Sequence, residues 1–365
     1  MSTRQTQIKI QKSQFSAGRD LDVYSWIIVF TVFIILLLTV YFQFVSKSLD
    51  RKLQIQLYSD TLTYEKYVKE NPQINWFSLI SFNGNYLGPV LIFKMLGQNR
   101  IVLVLFNILI VFNFIYSTRK LFSVNKIKLL LLLCINPVIA FSILSLNKEM
   151  LILLFLPFFL KYVKNKTVIY FILSLFLSLL VRWQLSLFFI TYTLMTSWFN
   201  PWRKDRFASI VILILAISIL YPIFSSRYFS SVVNISLESR GLDEGSGIFI
   251  TMNEMQNKGL YFLVFVPKVL HLLFGLLLRI RNILIFDDFW NNVVVTGQSI
   301  PFLYLFINLF IKVKTKKINL SNEFYFLTVI FFIVFALTPI YAPRYFLPAY
   351  IILSVMFSSK YQPQL

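Results

Sequence analysis

The sequence predicts an all-α fold, a polytopic transmembrane helical bundle of about ten spans with outer-face loops and a re-entrant or interfacial helix. Three observations carry that expectation. Hydrophobic residues make up 58% of the chain and charged residues only 14%, against about 25% charged in a soluble domain, and mean hydropathy is +0.72. Apolar runs of bilayer length recur throughout; about twenty residues at about 1.5 Å each match a hydrocarbon core of about 30 Å. The basic residues behind the net charge of +20 sit in short clusters between those runs, which is the signature of membrane topology. Membrane lipid is therefore the expected partner, and nucleic acid is not. Cys134, the single cysteine, lies inside an apolar run and permits no intramolecular disulfide.

Residues 1–365 read as a single integral membrane domain with both termini cytoplasmic. The polar, basic segment 1–22 stays inside, and 24–45 crosses outward, too long and without the cleavage site of a removed signal peptide. Residues 46–100 form the first outer segment, mixing charge with interfacial aromatics and broken by Asn83-Gly84-Asn85 and Leu87-Gly88-Pro89. Residues 101–116 return inward. Residues 129–146 cross out, with Asn136-Pro137 freeing a backbone carbonyl that something must satisfy. The run 150–162 then goes inward, short for a span. Three crossings follow, at 168–181, 185–199 and 208–224.

A second outer segment covers 225–292. Its polar part, 225–258, is the longest in the chain, and loops of that length are more often functional than connective. If 259–278 crossed the membrane, Lys312, Lys314, Lys316 and Lys317 would fall outside, against the positive-inside rule. Residues 259–292 therefore read as re-entrant or interfacial. Residues 293–311, 323–340 and 345–357 complete the spans. Asp287-Asp288 reads as a helix cap, and His271, with apolar neighbours and no companion ligands, as structural.

Charge inside apolar sequence is what points to chemistry, because it costs several kcal/mol at membrane depth. Asn147-Lys148-Glu149 interrupts two greasy runs with no linker beside it. Asn147 suits an N-cap and Glu149 the first turn of a helix; Glu149 equally suits a desolvated general base and Lys148 a phosphate contact. Arg182, in Leu180-Val181-Arg182-Trp183, and Arg344, in Pro343-Arg344-Tyr345-Phe346-Leu347-Pro348, are permanent cations that fork onto phosphate. Each alone could snorkel to headgroups; with Lys148 on one membrane face they suggest a site for an anionic headgroup. Arg240 adds outer positive charge, with Glu238, Asp243 and Glu244 as internal partners of equal merit. Asp60 lies just beyond the first span. Walker, HExxH and nucleotide-binding glycine motifs are absent, which argues against an ATP-driven pump or a zinc protease. No metal or cofactor is implied.

Ser59-Asp60, Asn85-Tyr86-Leu87-Gly88-Pro89, Asn136-Pro137, Ser145-Leu146-Asn147-Lys148-Glu149 and Pro343-Arg344-Tyr345-Phe346-Leu347-Pro348 together resemble the Wzy O-antigen polymerases and EpsG-like proteins, which are themselves similar to GT-C glycosyltransferases. The resemblance implies an enzyme of the bacterial inner membrane that joins undecaprenyl-diphosphate-linked oligosaccharide repeat units at the periplasmic face, building O-antigen or capsular polysaccharide. A chain-length regulator and a flippase would be its candidate partners. On that reading Arg182, Arg240 and Arg344, assisted by Lys148, hold the diphosphate, and Glu149 or Asp60 takes the acceptor's proton. Two alternatives stand beside it: a GT-C-type transferase adding one sugar from a polyprenyl-phosphate donor, and a flippase or transporter of lipid-linked glycans.

Overall fold

The computed structural model describes residues 24–50, 56–71, 86–228, 246–275, 293, 296–338 and 343–359. Every named element among them is helical, and one isolated bridge pairs Val124 with Ser359. Among the described residues three helices are long and apolar enough to cross a membrane: α1 (Tyr24–Val45), α4 (Arg100–Phe122) and the first 19 residues of α10 (Arg206–Tyr228). A bent pair, α5 (Lys126–Cys134) and α6 (Pro137–Ile143), would make a fourth. Between α1 and α4 lie α2 (Gln56–Glu70) and α3 (Leu87–Met95). After the bent pair come α7 (Lys148–Asn165), α8 (Val168–Leu179) and α9 (Trp183–Thr196). The chain continues from α10 through α11 (Ser246–Asn257), α12 (Tyr261–Phe274), α13 (Ser299–Lys314), α14 (Glu323–Phe335) and α15 (Leu347–Ser358).

A helix that is apolar all round belongs inside a bundle, and α14 and α15 are of that kind. Both are buried over nearly their whole length, and α7 is buried over most of its own. Phe331 joins α14 to Phe188 of α9, and Phe302 joins α13 to both Phe332 and Tyr350. At the periphery, α1 and α10 bury only 11% of their apolar windows. They turn Ile28, Leu36, Ile219 and Ile223 outward. A contiguous apolar surface of this kind suits hydrocarbon and not water.

The crossing that the sequence predicts over 129–146 is not one straight helix. The helix breaks at Asn136 and the chain turns by 93°. The cause is local: Pro137 offers no N–H and pushes the preceding residue out of the helical region. Asn136 accordingly adopts φ −83°, ψ 113°, and its side chain caps α6 by accepting from Val138 N. The carbonyl of Leu132, which Asn136 N would otherwise serve, accepts from the Tyr350 hydroxyl of α15. Two other readings change. Leu87-Gly88-Pro89 opens α3 and is not a turn, and the charged break is followed by a full 18-residue helix, about 27 Å long.

Between α6 and α7 the backbone of residues 144–147 is non-helical and buried. Such backbone survives at membrane depth only if its polar groups find partners within the protein. Asn107, buried in the middle of α4, turns its amide toward the carbonyls of Ser142, Ile143 and Ser145 at 3.3, 3.0 and 3.2 Å. The Thr61 hydroxyl of α2 donates to the Leu146 carbonyl at 3.1 Å, and Met150 N donates to Asn147 O at 3.3 Å. In turn α2 is tied to α4 by a bidentate pair, Arg100 Nε to Glu65 Oε1 at 2.7 Å and Nη2 to Oε2 at 2.6 Å.

Asn107→Leu keeps the volume and removes the donor for three carbonyls. It should lower the stability of the purified protein by about 1–3 kcal/mol, read as a drop in the midpoint of thermal unfolding. An unchanged midpoint would mean that the segment finds its partners elsewhere.

Candidate functional site

The 144–147 segment ends where charge begins. Asn147 occupies the position before α7 with extended backbone, φ −133°, ψ 142°, but its side chain does not cap the helix as the sequence suggests. It reaches back instead, donating to Ser145 Oγ at 2.8 Å and lying 3.5 Å from Thr61 Oγ1. The first turn of α7 therefore presents Lys148 and Glu149 inward, 8% and 1% exposed.

Facing them is the break between α8 and α9. Val181 N and Arg182 N both return to Ser178 O, and Arg182 takes extended angles, φ −159°, ψ 113°, before α9 starts. What fixes the depth of this break is Gly88 of α3. Its N–H donates to Leu180 O at 2.8 Å, and a Cβ at this glycine would lie 2.6 Å from the same oxygen. Only glycine permits that approach.

Arg182 Nη2 donates to Glu149 Oε1 at 2.7 Å, with side chains 2% and 0% exposed. The guanidinium also stacks on the Tyr345 ring, 3.9 Å from its centroid, an arrangement that favours a flat, weakly hydrated cation. The 3-10 turn Pro343–Phe346, ahead of α15, delivers Arg344, whose Nη1 lies 2.8 Å from Asp60 Oδ2 on α2. That contact is an ion pair without hydrogen-bond alignment. Lys148 lies within electrostatic reach of Asp60, Glu149, Arg182 and Arg344. Tyr64, one turn along α2 from Asp60, packs edge-on to Tyr86. Burial first, and then the Asp60 carboxylate, raise its phenol well above the ordinary range, so it is a hydrogen-bond donor throughout physiological pH.

The structure thus brings together Asp60, Lys148, Glu149, Arg182 and Arg344, from four separate stretches of chain. Arg240 lies outside the described residues. Reading the sequence did not single out Asn107, Thr61, Tyr345 or the close approach at Gly88. Asn107 alone had a signal, a fully polar amide inside an apolar run.

Three cations against two carboxylates leave one positive charge in a desolvated setting. The polar capacity is also not used up: Glu149 Oε2 and Arg182 Nη1 are buried without a hydrogen-bond partner. Buried polar groups are nearly always satisfied, so such orphans mark a place for a water or a ligand. A cluster with one surplus charge and unspent guanidinium donors can hold an anion such as phosphate. Among the described residues no three of His, Cys, Asp and Glu converge as a metal site requires. The chain matches no family model, no curated protein and no solved structure.

Removing one partner of the Glu149–Arg182 pair strands a buried charge. Arg182→Met should therefore destabilise by about 3–5 kcal/mol, and the double variant Arg182→Met, Glu149→Leu by clearly less. Thermal unfolding of the three proteins checks this; a double variant worse than the single one would show that the pair itself supplies the stability.

Proposed function

We propose that the protein is a membrane glycosyltransferase acting on lipid-diphosphate-linked sugar, specifically a polymerase that joins undecaprenyl-diphosphate-linked repeat units into O-antigen or capsular polysaccharide. The observation that carries the reading is the buried cluster of Asp60, Lys148, Glu149, Arg182 and Arg344, with its surplus positive charge and orphaned donors. The sequence resemblance supplies the substrate class, and the apolar helices supply the membrane setting. The reading includes a bundle of about ten spans in the bacterial inner membrane, both termini cytoplasmic and the cluster on the periplasmic side.

Breaking the anomeric C–O bond puts negative charge on a diphosphate leaving group. Fixed guanidinium groups in a water-poor site stabilise that charge without reorganising. Arg182 is held by Glu149 and Tyr345 in a single orientation, so Glu149 serves to aim it. Arg344 stands nearer the surface, its side chain 17% exposed, and Asp60 beside it is 25% exposed against 0% for Glu149. Of the two carboxylates Asp60 is therefore the one an acceptor sugar reaches. It takes the acceptor hydroxyl's proton as the C–O bond to the donor sugar forms, and the lipid diphosphate departs. Lys148 adds positive charge beside the departing oxygens.

Purified protein given lipid-linked repeat units should produce a ladder of chain lengths. Asp60→Asn should slow it by about 10²-fold or more with substrate binding retained. Arg344→Ala should cost about 10²–10³-fold, and Arg344→Lys should recover only part of that. Undiminished ladders from Glu149→Gln and Arg344→Ala would sink the assignment of the cluster. A single added sugar in place of a ladder would move the reading to a one-step transferase.

A further inference from the structure

The far end of the bundle holds a second polar feature that the transferase reading does not use. Here α7 ends and α8 begins, α9 turns into α10, and α13 turns into α14. A cleft of about 1140 Å³ opens between them. Its walls carry Lys166, Arg203, Lys204, Arg206 and Lys316 against two acids, Asp205 and Glu323. Both acids are already committed within the protein. Asp205 caps α10, accepting from Phe207 N and Ala208 N at 3.1 Å each. Glu323 accepts from Arg206 Nη2 at 2.5 Å and from the Tyr192 hydroxyl at 2.7 Å. Arg206 is committed with it, since its other nitrogen donates to Leu320 O at 2.7 Å. Lys166 is engaged as well, donating to the Tyr192 hydroxyl at 3.4 Å, but Arg203, Lys204 and Lys316 are exposed and face the cleft, so its field is that of unbalanced cations.

Next to it runs an apolar groove of about 220 Å³ between α12, α13 and α14, lined by Phe265, Val269, Leu309 and Val329 among others. Val313 and Tyr325 belong to the walls of both cavities. Basic cleft and apolar groove are therefore adjacent, and a tyrosine stands at the boundary, a ring suited to a border between polar and apolar surroundings. The depth of the junction is marked independently. Trp198, Phe199, Trp202 and Phe207 stand exposed in and beside the adjoining α9–α10 turn, as aromatic residues do at the headgroup level of a bilayer.

We propose that this end of the protein is a binding site for an acidic phospholipid, its phosphate headgroup in the cleft among Arg203, Lys204, Lys316 and Lys166 and one acyl chain in the groove past Val313 and Tyr325. The proposal rests on the membrane setting and not on the transferase chemistry at the other end. A soluble phosphorylated molecule would use the same cations, but it has no use for the groove or for the aromatic collar.

The test is native mass spectrometry of the full-length protein in detergent micelles, titrated with phosphatidylglycerol, phosphatidylcholine or glycerol 3-phosphate. Phosphatidylglycerol should bind at least tenfold more tightly than phosphatidylcholine. The double variant Arg203→Ala, Lys204→Ala, in an exposed turn where folding is not at stake, should weaken it roughly tenfold. Val313→Trp, which fills the junction, should weaken the phospholipid and leave glycerol 3-phosphate unaffected. Equal binding of the two phospholipids overturns the proposal. So does glycerol 3-phosphate binding as tightly as phosphatidylglycerol, which would identify a soluble-anion cleft, or phosphatidylglycerol binding that survives the Arg203/Lys204 substitution.

Discussion

The pair between Glu149 and Arg182 sets the terms for one end of the molecule. Two full charges with side chains almost wholly inaccessible carry a desolvation cost of several kcal/mol each. Their attraction offsets that cost only if the partners meet accurately. Glu149 stands in the first turn of α7 and Arg182 just before α9, so two helix starts must arrive at one depth. Neither start could sit there without help. Asn107 and Thr61 satisfy the backbone leading into α7, and Gly88 lets α3 close directly on the carbonyl that precedes Arg182. The second pair, Arg344 with Asp60, is looser and more open. One tight pair and one loose pair make a site with a rigid floor and an adjustable rim.

Much of this was legible in the sequence, for a simple physical reason. Lys148, Glu149, Arg182 and Arg344 stand out because a charge among apolar residues is expensive wherever the helix ends fall. Their sharing one face followed from the topology, but which carboxylate meets which arginine was not legible, since it depends on a 93° turn and on helices that the hydropathy pattern joins into one span. Asn147 illustrates the limit. Its residue type suits a cap, yet tertiary partners at Ser145 and Thr61 outbid the local role. Asn136, whose following proline constrains it more tightly, caps α6 with its side chain. Asn107 and Gly88 were not singled out because their importance lies in what they touch.

The two ends of the bundle handle charge in opposite ways. At one, acids and bases are interleaved, one pair buried and one partly open, each carboxylate beside an arginine, with one positive charge to spare. At the other, the buried acid Glu323 is neutralised by Arg206 and accepts a hydrogen bond from Tyr192, and the remaining cations are pushed to the surface. A buried lysine, Lys268, is treated differently again. It is fully inaccessible on α12 and donates to Gln256 of α11 at 2.7 Å, while Gln256 donates onward to the Leu337 carbonyl. That chain ties the α11–α12 hairpin to the end of α14, close to the turn that carries Arg344. His271 lies nearby with its ring stacked on Phe249, within the same hairpin.

The 3-10 turn at Pro343–Phe346 has a consequence for biogenesis. Arg344 is synthesised long after its partner Asp60. The Tyr345 ring that backs Arg182 arrives with it. Until α15 is inserted, Asp60 lacks its arginine and the Glu149–Arg182 pair lacks one wall. The cluster is thus completed only once the turn ahead of α15 is in place: a chain stalled before it would hold the other helices of the site but not the site.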